Sequence, residues 1–209
     1  MPVEGPQYPV NLTVAGRRCL VVGGGRVARR KVEGLRDAGA AVHVVAPDID
    51  PDLAALDGVT SERRPYRRGE AGGYRLVVAA TGDPAVNQAV YDDGEAAGVW
   101  VNSADDPDRC SFTLPAVLRR GPVTVTVATG GHSPALASWL RDRIGDWLGP
   151  EYETLVGVLA AERDAIRAEG RSTEGLAWHL ALDSDMLALI RQGRITEARE
   201  RLKACLSSS

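Results

Sequence analysis

The sequence predicts an α/β chain: a doubly wound parallel sheet, then a β-hairpin, then an all-helical C-terminal part. Three observations carry this. Short apolar runs alternate with amphipathic segments as far as Asn102. A cluster of glycines, Gly23 to Gly25, stands between the first apolar run and the first amphipathic segment. From Glu151 onward strand signals vanish and only helical periodicity remains.

Residues 19–22 form a fully apolar strand, residues 26–38 a helix with Val27, Ala28, Val32 and Leu35 as its apolar positions, and residues 42–46 a second strand. This is a β-α-β unit. Gly23, Gly25 and Ala28 fit the G-x-G-x-x-G/A pattern of a Rossmann-like turn: a glycine for the tight turn, one for close approach of a pyrophosphate, and a small residue where helix meets strand. The helix N-terminus then offers free N–H groups and its positive dipole end to phosphates. A ligand-free glycine turn is the alternative, and the strand and helix context favours the nucleotide.

Residues 59–64, 76–80 and 99–102 read as three more strands, with helices over 84–97 and, shorter, near 51–56. Five strands alternating with helices imply the parallel sheet. Residues 112–118 and 123–128 are β-branched-rich and joined across "RRGP", which predicts an antiparallel hairpin whose edges want a partner. Ser133 and Pro134 look like an N-cap and first residue of a helix to Leu148, punctuated by Gly149 and Pro150. Helices are expected over 152–169, 173–182, 184–192 and 196–206. The domain division is a dinucleotide-binding part at 1–110, a hairpin-and-helix dimerisation region at 111–150, and a helical domain at 151–209.

At 209 residues and 44% hydrophobic the chain can bury one good core and a smaller second one. No apolar run approaches the ~18 residues of a membrane span, and the N-terminus lacks signal-peptide features, so the expected location is the cytoplasm. Cys19, Cys110 and Cys205 are scattered, with neither a disulfide framework nor a cysteine zinc site. A formal net charge of -3 argues against a nucleic-acid protein. Only Lys31 and Lys203 are lysines; the other basic residues are arginines, suited to carboxylate or phosphate recognition, although a codon bias accounts for this equally well.

In an open parallel sheet the ligand lies at the carboxyl ends of the strands. After the second strand come Pro47 and Asp48; Asp48 can accept hydrogen bonds from an adenosine ribose, favouring NAD over NADP, or be an ordinary loop aspartate. Arg26, in the glycine loop, could meet the pyrophosphate or a 2′-phosphate. Thr81 and Gly82, after the fourth strand, let the backbone approach the ribose near a nicotinamide, while Asp83 caps the next helix. Asn102 opens the loop after the fifth strand, which places Asp105 and Asp106 on the same edge as the glycines; a carboxylate there serves as a general base, or as a turn former before Pro107. "TGGHSP", residues 129–134, is a second glycine pair before a helix. His43, His132 and His179 show no metal-ligand spacing; only His132 sits beside a candidate site.

Taken together, "YPVNLTVAGRRCLVVGGGRVARRKVEGL", "VVAATGDPAVN" and "VNSADDPDRCSFTLPAVLRRGPVTVTVATGGHSPALASWLR", with a helical tail, closely resemble the precorrin-2 dehydrogenase family, including the N-terminal part of siroheme synthases. The resemblance runs in order over essentially the whole chain. It implies NAD-dependent oxidation of the tetrapyrrole precorrin-2 to sirohydrochlorin on a homodimer with the hairpin at its interface, and in some members insertion of ferrous iron. By position, Arg26 and Val27 match the family's contacts in the glycine loop, beside Gly23, Gly24 and Gly25 as cofactor-binding residues, Pro47 and Asp48 match those after the second strand, and Asp105 the catalytic aspartate. Ser133 matches a serine near the tetrapyrrole cavity. Asn102 and His132 go with it as substrate-side candidates, and Arg109, Arg119, Arg120 and Arg141 as partners for substrate carboxylates.

Two other classes compete: a chelatase, added to or replacing the oxidation, and a non-enzymatic NAD- or tetrapyrrole-binding partner. Asp105 together with an intact glycine loop argues against the latter. No methyltransferase-like segment follows the helical tail, so uroporphyrinogen methylation is not expected.

Overall fold

The computed structural model describes residues 5–104 and 106–207. The chain divides into two compact units. One runs to Leu114 and includes Gly130–His132; the other takes Pro115–Thr129 and everything from Ser133 onward.

The first unit holds a five-stranded, wholly parallel sheet: β1 (Arg18–Val22), β2 (Ala41–Ala46), β3 (Val59–Arg63), β4 (Leu76–Ala79) and β5 (Trp100–Ser103), in the order β3-β2-β1-β4-β5. Its central strands are near-continuous Val, Leu and Ala because both faces are covered. Alternate residues face opposite layers. Cys19, Val21, Val44 and Val78 pack with Ala28 and Val32 of helix α1 (Arg26–Asp37), while Leu20, Val22, Val77 and Val101 pack with Val90 of helix α3 (Pro84–Ala97). Each fully buried valine or leucine here contributes roughly 1.5–3 kcal/mol. Helix α2 (Pro51–Ala54) is one turn, capped by Asp50, and its Leu53 completes the α1-side core.

The sequence-based expectations are met here to within a residue or two at most ends. Helix α3 starts where Asp83 accepts from the Ala85 and Val86 amides with Pro84 at its first position, and stops at Gly98 in the left-handed region. Two short 3-10 turns, Glu70–Gly73 and Pro107–Arg109, were not anticipated.

The second unit contains the hairpin β6 (Ala116–Arg120) and β7 (Val123–Val127), followed by α4 (Pro134–Trp147), α5 (Glu151–Ala168), α6 (Trp178–Leu182), α7 (Met186–Arg191) and α8 (Ile195–Ser207). Arg120 pairs with Val123, so the turn is Gly121 and Pro122 alone, and both arginines of "RRGP" belong to the strand. Residues 112–115, expected as strand, are not: Phe112 packs on the first unit's core, its carbonyl accepting from Asn102 Nδ2 at 3.0 Å. The helix expected from residue 173 begins only at Trp178. Gly175 has a positive φ, and the Trp178 indole N–H donates to the Thr173 carbonyl at 3.0 Å, which folds that segment back as a loop. Leu155, Met186, Ala198 and Leu202 form the core of this unit.

Candidate functional site

The strand order reverses beside β1, and the loops leaving the carboxyl ends of β1, β2 and β4 open there into a cavity of about 610 Å³. That size is within the range of small-molecule sites. Gly23, Gly24, Gly25, Pro47, Asp48, Thr81 and Gly82, all expected cofactor contacts, line it together.

The three glycines do different work. Gly23 has φ +128° and a Cβ there would meet the Ala80 carbonyl oxygen at 2.3 Å; a Cβ on Gly24 would meet the Asp48 carbonyl oxygen at 2.0 Å. These two are glycine because neighbouring backbone leaves no room. A Cβ on Gly25 would meet nothing within 4 Å beyond its own chain neighbours, so that face is open. The fingerprint thus holds, with Gly24, nominally a variable position, as tightly constrained as Gly23. Gly25 is also the N-cap of α1 and supplies no side chain; no side-chain hydrogen bond caps this helix, and its first turn carries no acid. Its leading N–H groups and dipole are left for an anion. By contrast α2 and α3 in the same unit are closed by Asp50 and Asp83. Ala28, fully buried, lets α1 pack close on the sheet.

Arg26 and Val27 begin α1 immediately beyond the glycines, Arg26 exposed and Val27 half-buried; neither is part of the cavity wall. The Thr81–Gly82 turn is braced by Asn87, a buried side chain on α3. Sequence reasoning passed over Asn87, although it closes the quoted "ATGDPAVN". It also missed Pro65, Tyr66 and Arg68, which extend the cavity wall from the loop after β3. No motif marks them. They reach the site only because β3 is laid beside β2.

Asp105 lies outside the described residues. Around it the chain is tightly clasped. The Cys110 thiol accepts from the Ser103 amide at 3.3 Å, and burial pushes its pKa up. The Ser111 hydroxyl accepts from the Val101 amide at 2.7 Å and donates to the Val101 carbonyl at 3.2 Å. The "CSF" residues therefore act as a staple that returns the loop onto β5. Asn102, expected on the substrate side, is buried, its amide nitrogen donating to Phe112 and Cys110; the structure does not bring it to the cavity wall. Asp106 caps the 3-10 turn through the Asp108 amide and pairs with Arg109, which also donates to Gln88.

Ser133 belongs to the second unit and His132 to the first. The Ser133 hydroxyl accepts from the Leu136 amide at 3.1 Å, so it caps α4 as its sequence context suggests. Of the candidate arginines, Arg120 donates to the Leu148 and Gly145 carbonyls and closes the C-terminal end of α4, and Arg141 pairs with Asp142.

A parallel sheet with an uncapped, glycine-fronted helix at its switch point defines a dinucleotide-binding protein of Rossmann type. Residues 10–116 match the family described as "Putative NAD(P)-binding", and the chain belongs to that family. It is similar to the siroheme synthases of Nitrosococcus oceani (39% identity over 96% of this chain and 44% of that protein) and Nitrosomonas eutropha (36% over 97% and 44%). The chain thus spans under half the length of these curated relatives. A solved structure, "SirC, precorrin-2 dehydrogenase", superposes with a TM-score of 0.69 at 25% identity, covering 95% of this chain and 98% of that one.

Proposed function

We propose that this chain is a precorrin-2 dehydrogenase, an NAD-dependent oxidoreductase that converts precorrin-2 to sirohydrochlorin in siroheme or cobalamin synthesis. The observation that carries the reading is the end-to-end likeness to the precorrin-2 dehydrogenase SirC, both units included. It is supported by the dinucleotide cleft, where the residues present fit the cofactor: Gly25 leaves room for a pyrophosphate, the α1 N-terminus stabilises its charge, and Asp48 is available to the ribose.

NAD, when bound, supplies the acceptor for the hydride that leaves the macrocycle, and a proton is released with it. The protein orients the two partners and gives the proton a path. Asp105 is assigned to that path by its position in the family pattern. Ser133 and His132 are proposed on the tetrapyrrole side, and Arg26 and Val27 beside the pyrophosphate.

The same reading includes a homodimer formed through the β6–β7 hairpin, whose edges a second copy would cover. No described helix is long and apolar enough to cross a membrane. Cytoplasm is the proposed location, since the dinucleotide is available there.

Anaerobic incubation with precorrin-2 tests the function. NAD-dependent appearance of sirohydrochlorin with one NADH per macrocycle is expected; NAD binding with no turnover would replace the dehydrogenase with a binding partner.

A further inference from the structure

One carboxylate of α3, that of Asp93, makes three contacts to the loop after β3. Asp93 Oδ2 accepts from the Tyr66 hydroxyl at 2.8 Å and from the Gly69 amide at 2.6 Å, while its Oδ1 lies 3.0 Å from the Arg68 guanidinium. The other terminal nitrogen of Arg68 lies 3.9 Å from Asp92. Asp93 is nearly buried at 8% side-chain exposure, whereas Arg68 is 62% exposed.

Arg68 is also the only arginine among the described residues that lines the cavity, which Asp48 lines as well. In such sites a carboxylate after the second strand accepts the 2′-hydroxyl of adenosine, whereas a nearby arginine accommodates a 2′-phosphate. Both groups are present here, and a free arginine would favour the phosphorylated cofactor. Asp92 and Asp93 answer its charge at both ends. Two other arginines of this unit are similarly engaged: Arg29 by Glu33 and Asp52, and Arg64 by Glu62 and Glu70.

We propose that Asp93 is a specificity-determining residue that, by engaging Arg68, withholds it from a 2′-phosphate and so makes the cavity select NAD over NADP. This rests on the reading of the cavity as the dinucleotide site. Asp93 acts through Arg68 and is a positioning residue. The Tyr66 ring, held by the same carboxylate, keeps the loop in place while Arg68 is engaged.

The test measures Kd for NAD and NADP by calorimetry in wild type, Asp93→Asn, Arg68→Ala and the double variant. Asparagine keeps an acceptor for Tyr66 or Gly69 but removes the charge. Wild type is expected to favour NAD. Asp93→Asn should tighten NADP about tenfold, the worth of one charge-assisted hydrogen bond, with NAD little changed, and the gain should shrink as salt rises. Adding Arg68→Ala should abolish the gain. A gain that survives the double substitution, or no gain in a folded Asp93→Asn, overturns the proposal. Should Asp93→Asn not fold, Asp92→Asn is expected to give the same sign with smaller size, and its failure to do so counts equally against it. If wild type binds neither nucleotide, the site reading itself falls, an outcome distinct from unaltered selectivity in a protein that binds NAD.

Discussion

Asn87 and Thr81 hold each other through both side chain and backbone. The Asn87 amide nitrogen donates to the Thr81 carbonyl at 3.1 Å, and the Thr81 hydroxyl donates to Asn87 Oδ1 at 2.8 Å. A buried side chain on α3 thus fixes a turn that lines the cofactor cavity. Asn87→Ala leaves the Thr81 carbonyl without its side-chain donor and should cost about 1–3 kcal/mol. Thermal unfolding should show the loss, and calorimetry a weaker Kd for NAD. Asn87→Asp keeps the acceptor but turns a buried carboxylate oxygen against the Thr81 carbonyl, and should be at least as damaging as alanine in both.

Gly24 and Gly25 should separate folding from binding. Gly25→Asp places bulk and negative charge in open space where the pyrophosphate would lie, so NAD binding should vanish with the melting temperature nearly kept. Gly24→Ala drives a methyl into the Asp48 carbonyl and should destabilise by about 1–3 kcal/mol. Unchanged NAD affinity in folded Gly25→Asp would remove the glycine loop from the site.

Asp105→Ala is expected to lower precorrin-2 turnover by roughly 10² to 10⁴ with NAD affinity nearly unchanged, the range for a general acid–base group. The neighbouring Asp106→Ala removes a cap and an ion pair, so it should lower the melting temperature instead. Equal activities at equal folded fractions would take Asp105 out of the mechanism.

The Arg64–Glu70 pair sets a pH dependence. Burial alone would push the Glu70 carboxyl up, but its hydrogen bonds to Arg64 and to the Arg67 amide outweigh this and hold it below its ordinary value. A depressed folded pKa stabilises above the unfolded value, about 4.3, and that stability is lost as pH falls through the folded one. Glu70→Gln should therefore be about 1.5–3 kcal/mol less stable near neutrality. The gap should begin to narrow as pH falls below about 4.3 and close only once pH has passed the lower folded value, as read by denaturant unfolding across pH.

Sedimentation at micromolar concentration tests the assembly. A mass near twice 22.2 kDa is expected, falling toward the monomer when charges are placed on the hairpin edge. A monomer throughout would contradict the dimer.

The sequence by itself determined the parallel sheet, α1 and the glycine loop, because each is written in local order: apolar runs where strands are covered on both faces, a 3.6-residue period, and small residues at fixed spacing. It also marked Asp83 and Ser133 as caps, whose hydrogen bonds reach only two or three residues along the chain. Tertiary structure decided the rest. That Gly24 must be glycine depends on the Asp48 carbonyl, and the duties of Asn102, Cys110 and Ser111 on a loop folding back across β5. Tyr66, Gly69 and Asp93 meet because β3 lies beside β2 while α3 lies far along the chain, and no local pattern records contacts whose partners are 27 and 24 residues apart. Short-range periodicity can state which face of an element is apolar; which groups then face one another is set by how the elements pack.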